Sequence, residues 1–158
     1  MKSTLRLASV ALAYALGLVA APALAASACA GEPTDTKLTV DVSGLRSAKG
    51  EVAVTLYPDD SKRFLAPKGK LARQRTPAKM PVTTTCFYLP KPGFYAVAIY
   101  HDENGDHDFN RTLIGMPAEG FGFSNNPSTK TGLPAYKSVR FEAKAGETET
   151  RITLRYLR

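Results

Sequence analysis

Beyond residue 37 the chain places its apolar residues at every second position, and no long stretch carries the 3.6-residue spacing of an amphipathic helix. That period of two constrains the fold more than any other feature, because a strand with one dry face must bury it against another layer. Leu38, Val40 and Val42 alternate with Thr39, Asp41 and Ser43 before Gly44, and Val52, Val54 and Leu56 alternate with Ala53, Thr55 and Tyr57 before Pro58. Separated by turn residues around Lys49-Gly50, these two runs read as a hairpin or as near neighbours. Further β-branched and aromatic runs at 82–89, 94–100, 136–143 and 150–156 are fenced by Gly or Pro. Residues 70–75, ahead of Pro77, suit a short helical turn. The expectation is an all-β fold, an antiparallel two-sheet β-sandwich of about seven strands with one short helical turn near 70–75. No internal repeat is visible.

The start of the chain has a different character. Lys2 and Arg6 precede an apolar stretch over 7–20, and Ala23-Leu24-Ala25 followed by Ala26 supplies the small residues that a signal peptidase accepts. The pattern predicts a cleaved signal peptide over 1–25, a polar segment over 26–36 and a single β-sandwich domain over 37–158. Cleavage removes two of the 21 basic residues and none of the 14 acidic ones, leaving 133 of the 158 residues with a net charge of +5. No second apolar span follows, so the expectation is an exported protein, periplasmic or extracellular, with no membrane span and no nucleic-acid partner. An oxidising compartment lets the two cysteines, Cys29 and Cys86, form one disulfide. Ala26-Ser27-Ala28 before Cys29 also reads as the lead-in to a lipid-modified cysteine, although an aliphatic residue at position 26 is the stronger signal.

Charge is unevenly distributed. Residues 61–101 contain no acidic residue, while Lys62, Arg63, Lys68, Lys70, Arg73, Arg75 and Lys79 crowd the first part of that stretch. The run reads as a solvated connection between strands, or as a surface for anionic envelope polymers or lipid.

Immediately afterwards the sign reverses. In the segment 101–110, His-Asp-Glu-Asn-Gly-Asp-His-Asp-Phe-Asn, oxygen-bearing side chains fall at every second position: Asp102, Asn104, Asp106, Asp108 and Asn110. Calcium takes six to eight oxygens, and alternating Asp and Asn in a tight turn can bring several of them onto one ion. An EF-hand is excluded, since its sixth position is His107 instead of Gly and its twelfth is Leu113 instead of Glu. Glu119, beyond Gly115-Met116-Pro117, is the candidate distal ligand. The competing reading is a connection in which Asp and Asn bond their own backbone through Asx turns, and a third is a transition-metal site using His101 and His107. Downstream, Phe121, Phe123, Ser124 and Asn125 lie in a long Gly-rich loop, where the two rings either stack on a ligand such as a sugar or plug one end of the sandwich.

Gly93-Phe94-Tyr95-Ala96, His101-Asp102-Glu103-Asn104, Gly115-Met116-Pro117-Ala118-Glu119-Gly120 and Phe121-Gly122-Phe123-Ser124-Asn125-Asn126 together resemble the secreted bacterial family called domain of unknown function 2141. The resemblance spans 38–156 and implies no established activity. The family's acidic loop more often reads Asp-x-Asn-x-Asn-Gly followed by Asp, where this chain has Asp106-His107-Asp108. Residues 89–100 are also similar to the strand entry of prealbumin-like and carboxypeptidase-regulatory-like modules, which implies an immunoglobulin-like or prealbumin-like sandwich and assigns no ligand. The leading expectation is a non-catalytic envelope module, ordered by calcium, binding a protein or polysaccharide of the envelope through its 101–126 face. The alternatives are a hydrolase, with His101 as base and Ser124 as nucleophile or Asp102 and Glu119 as a carboxylate pair, and a structural domain docking on anionic envelope surface.

Overall fold

A computed structural model of the protein describes residues 29–157. The expected leader over 1–25 and its cleavage point lie outside the described residues. Eight strands and one helical turn follow in chain order: β1 Thr36–Ser43, β2 Glu51–Pro58, β3 Ala72–Pro77, β4 Val82–Tyr88, β5 Gly93–Asp102, β6 Gly120–Phe123, α1 Tyr136–Val139, β7 Phe141–Ala143 and β8 Gly146–Thr153. One sheet has the order β4-β1-β8. The other runs β3-β2-β5-β6, with β7 also paired to β5. The alternation in β1 is the simplest case, with Leu38, Val40 and Val42 wholly buried and Lys37, Thr39 and Asp41 partly wet.

The two sheets face one another across a core in which Leu38, Val40, Val42, Phe87 and Ile152 meet Val52, Val54, Leu56, Val97 and Ile99. A β-sandwich is therefore what the period of two produces. β2 is buried on both sides. Its inner row joins that core, and its outer row, Ala53 and Tyr57, joins a second apolar cluster with Ala96, Tyr100, Phe121, Phe123 and Val139. This second cluster lies outside the sandwich, between the five-stranded sheet and the connections that cross it.

Several sequence expectations need correction. β1 and β2 are not a hairpin: they belong to opposite sheets, and buried Leu45 lies in the link between them. Both strands carry a full apolar row, so each needs its own pair of partners. The sandwich is not wholly antiparallel, because β8 runs parallel to β1 from Thr36↔Gly146 to Ser43↔Thr153. Where a helical turn is expected over 70–75, strand begins at Ala72. β3 is an edge strand whose period of two is carried by Arg73 and Arg75, which lie across from Thr55 and Ala53, and an apolar count misses it. Among the described residues the helix falls at Tyr136–Val139, where a strand is expected, leaving Phe141–Ala143 as the paired strand.

β6 occupies part of what reads as a loop. Its Gly-Phe-Gly-Phe sequence is a two-sided solution: Phe121 and Phe123 point to the outer cluster, while the glycines face the end of β8. A Cβ on Gly122 would stand 2.9 Å from Ile152 Cγ2, and one on Gly120 would overlap the Tyr156 ring. Paired bonds of 2.9 Å between Phe121 and Arg155 then stitch the end of the chain to β6. Among the described residues no helix is long and apolar enough to cross a membrane. Cys29 and Cys86 are joined in a disulfide with Cα atoms 4.6 Å apart, so the thiol of Cys29 is taken up by pairing.

Candidate metal centre and the face around it

β5 delivers Asp102 to the outer face at the edge of the second apolar cluster. Register places it opposite Glu51, with Tyr100 opposite Ala53 and Arg75 beyond Ala53 on β3. Asp102 is wholly buried, and both of its oxygens are engaged. Oδ1 accepts from the Gly105 N–H at 2.7 Å, and Oδ2 accepts from the His107 N–H at 2.9 Å and from Arg75 Nη1 at 3.1 Å. Arg75 is the hub of this corner, donating also to Glu51 Oε1 at 2.6 Å, to the Tyr100 hydroxyl at 2.8 Å and to the His107 carbonyl at 2.7 Å.

The turn itself is held by Asx bonds. Asp106 Oδ1 accepts from the Asp108 N–H at 2.9 Å, and Asp106 Oδ2 accepts from Asn104 Nδ2 at 2.7 Å and Asn110 Nδ2 at 2.9 Å. Those donors hold the Asp106 carboxyl below its ordinary range, the Asp108 N–H first. Gly105 and His107 both take left-handed backbone, with φ of 70° and 69°. The departure at His107 thus keeps the bend that glycine makes without strain, in a region His enters more readily than most residues.

Glu119 arrives from the far side. It is 6% exposed, and its Oε2 accepts from the Asn110 N–H at 3.1 Å. Burial, together with the negative charges of Asp102, Asp106 and Glu103, pushes its carboxyl up to about 7. One carboxylate oxygen from each of Asp102, Asp106 and Glu119 lies within 4.8 Å of the other two. Oxygens at 2.3–2.6 Å from one calcium ion stand no farther apart than about 5 Å, so this spacing fits. Asn104 and Asn110 complete the surround, with Asn104 Nδ2 also reaching Asn110 Oδ1 at 3.2 Å. Turned end for end, the two amides offer neutral oxygens in place of N–H donors. Asp108 is exposed and meets the cluster through its backbone N–H.

Glu103 turns away. Arg46 grips it through Nε and Nη2, Ser47 Oγ donates at 2.6 Å, and its carboxyl is lowered to about 2, chiefly by the Arg46 bonds. The charge of Glu103 is therefore answered by protein. A second grouping, Glu51, Asp102 and His107, already contains a cation, the Arg75 guanidinium.

The two histidines do not converge. His101 is wholly buried, with Nε2 on the Lys49 carbonyl at 2.8 Å and Nδ1 2.6 Å from the Tyr156 hydroxyl. The carbonyl can only accept, so Nε2 carries a proton, and the Tyr156 hydroxyl, which accepts from the Arg46 N–H, is placed to donate to Nδ1. His107 instead reaches Glu51 at 3.3 Å from the exposed side. Ser124 lies near Val97, four strand positions from His101 and so about 13 Å away along the sheet; its hydroxyl donates to the Val139 carbonyl at 2.5 Å and accepts from the Val97 N–H at 3.0 Å. A His101–Ser124 dyad is thus not assembled.

The other residues of the expected ligand face divide. Phe121 and Phe123 are buried and line a cavity of about 240 Å³ on the outer face of the five-stranded sheet. Asn125 spends its amide on the Ser138 and Arg140 carbonyls, and Asn126 bridges Arg151 and Thr153. The Ser-Asn-Asn run therefore ties β6 to its neighbours. Sequence reasoning missed Glu51 and Thr55 as part of this face and took Arg73 and Arg75 only as members of a basic run; their alternation is the signal that places both on one side of a strand.

A family model described as an uncharacterized protein conserved in bacteria, DUF2141, matches residues 40–151. No curated protein and no solved structure matches the chain.

Proposed function

We propose that this chain, which belongs to the DUF2141 family, is an exported, non-catalytic envelope module whose 101–119 loop is closed by a calcium ion and whose adjoining face binds another envelope component. The observation that carries the reading is the approach of three carboxylates, Asp102, Asp106 and Glu119, within 4.8 Å, of which, among the described residues, only Asp102 is paired with a protein cation. Three like charges at that spacing repel one another, and a divalent ion reverses the sign of the interaction. In that site Asp102, Asp106 and Glu119 supply charge, while Asn104 and Asn110 supply neutral oxygens.

Export is supported by the apolar leader with its Ala23-Leu24-Ala25 ending and by the Cys29–Cys86 pairing. A binding role in preference to catalysis is supported by the occupied state of His101 and Ser124, whose polar atoms hold the fold together. The test is thermal unfolding of chelator-stripped protein with calcium, magnesium or zinc added. A rise of several degrees specific to calcium is the expected result. No shift with any of the three ions leaves the loop held by its own Asx bonds, and the reading fails.

A further inference from the structure

The outer face of the five-stranded sheet is uneven for a reason visible in its register. One cross-strand row reads Arg75, Ala53, Tyr100, Phe121; the next reads Arg73, Thr55, Ala98, Phe123. The middle of the second row is small, so Thr55 and Ala98 form a floor between the rings of Tyr57, Tyr100, Phe121 and Phe123. The cavity of about 240 Å³ stands over that floor. Pro117, Leu65 and Leu133 also line the cavity, the two leucines with exposed side chains. At about 30 Å³ for each water-sized group, there is room for about eight such groups.

Two cations stand at this apolar pit. Arg73 donates from Nε to Thr55 Oγ1 at 2.8 Å and lies 5.7 Å from the Tyr100 ring centroid. Arg111 lies 5.2 Å from the Phe109 centroid and donates to the Gly115 carbonyl at 3.0 Å. Among the described residues neither forms an ion pair with a carboxylate. A sugar fits this lining poorly, because most of its hydroxyls would be stripped of water without a partner. An apolar body with one anionic head matches both halves of the site.

We propose that the cavity over Thr55 and Ala98 binds a small amphipathic carboxylate, its apolar body of about eight non-hydrogen atoms set among Tyr57, Tyr100, Phe121 and Phe123 and its carboxylate held by Arg73 and Arg111. The inference rests on the reading of the 101–126 face as a binding face and stands whether or not the neighbouring loop takes calcium.

The experiment is a titration of isotope-labelled protein, followed by amide NMR shifts, with octanoate, 3-phenylpropanoate and 1-octanol at up to millimolar concentration. Each titration is run in chelator and repeated with calcium, so that binding in chelator separates this site from the cation site. The expected result is saturable shifts at cavity residues for one or both acids, the pair telling a linear body from an aromatic one. The double variant Arg73→Gln, Arg111→Gln should weaken acid binding by about tenfold and leave octanol nearly unchanged. Ala98→Leu should fill the floor and abolish binding of all three. Should that variant not fold, intermolecular NOEs from the ligand to the Tyr100 and Phe121 rings of the unaltered protein decide the matter. No saturable shift with either acid, equal effects of the arginine changes on acid and alcohol, persistent binding in folded Ala98→Leu, or absent NOEs would each overturn the proposal.

Discussion

Replacing Glu119 by Gln should stabilise the cation-free protein, by an amount that grows as pH rises from 4.5 to above 7. Burial and three neighbouring carboxylates push the Glu119 carboxyl from 4.5 to about 7. The folded state therefore holds the proton more tightly than the unfolded chain. The stability this supplies is fully present below pH 4.5, declines as pH rises toward 7, and is gone above that. At about 1.4 kcal/mol for each unit of displacement, the decline reaches a ceiling of about 3 kcal/mol. Gln keeps an acceptor for the Asn110 N–H but carries no charge, so it escapes the decline. Urea unfolding in chelator at pH 5 and pH 8 measures both proteins. The expected difference is under about 1 kcal/mol at pH 5 and grows to as much as about 3 kcal/mol in favour of the variant at pH 8. Glu103 does not confuse this window: lowered to about 2 by Arg46, it contributes stability that is lost only below pH 4.5. Calcium at pH 8 should then reverse the order, stabilising the original protein and not the variant. A variant less stable than the original at pH 8 in chelator, or a difference that ignores pH, would refute the electrostatic account of the loop.

Other perturbations separate the parts of this corner. Arg75→Met should cost about 3 kcal/mol in urea unfolding, because it leaves wholly buried Asp102 without its cation, and a loss under half that size would show that the two backbone N–H groups suffice. His107→Gly should gain about 1 kcal/mol by relieving left-handed backbone, and a loss would mean that the exposed contact with Glu51 matters more than the strain. Reduction of the Cys29–Cys86 bridge, which spans 57 residues, should lower stability by about 4 kcal/mol on the chain-entropy argument. Alkylation before reduction should label no thiol; two labelled cysteines would contradict the pairing.

What was legible in the sequence was whatever a single strand reports about itself. β1 and the inner row of β2 declare their buried side by alternation, and their apolar rows suffice to demand two sheets. Partner choice is a property of pairs of strands, and it was not legible: nothing in 38–56 says that β1 lies between β4 and β8 while β2 crosses to the other sheet. The acidic loop was visible because its residue types are unusual at that density. Its internal division was not, since whether Glu103 faces the cluster or Arg46 depends on a link, 44–50, whose path comes from the sheet crossing. Arg73 and Arg75 were visible as charge and invisible as structure, because an edge strand over a covered face can carry its alternation in long polar side chains whose stems lie on the sheet.

Phe109 joins the two features of the outer face. It sits between Asp108 and Asn110 in the acidic loop, packs 5.5 Å from Tyr100 and 6.2 Å from Phe121 between ring centroids, and lines the cavity. The backbone that positions its ring is the same backbone that carries the Asp106 and Asn110 oxygens. An ion that fixes the loop therefore also fixes one wall of the cavity, and an occupant that holds the wall reduces the ordering left for the ion to impose. Linkage requires the two effects to be equal: any factor by which calcium tightens a ligand in the cavity is the factor by which that ligand tightens calcium. The Tyr100 hydroxyl extends the connection, because it donates to the His107 carbonyl and accepts from Arg75, which in turn holds Asp102. The apolar row of β5 and the acidic turn that follows it are thus joined through Phe109, Tyr100 and Arg75. Calcium is expected to change the affinity of the cavity for its ligand, by a factor that titration of the ligand with and without calcium measures.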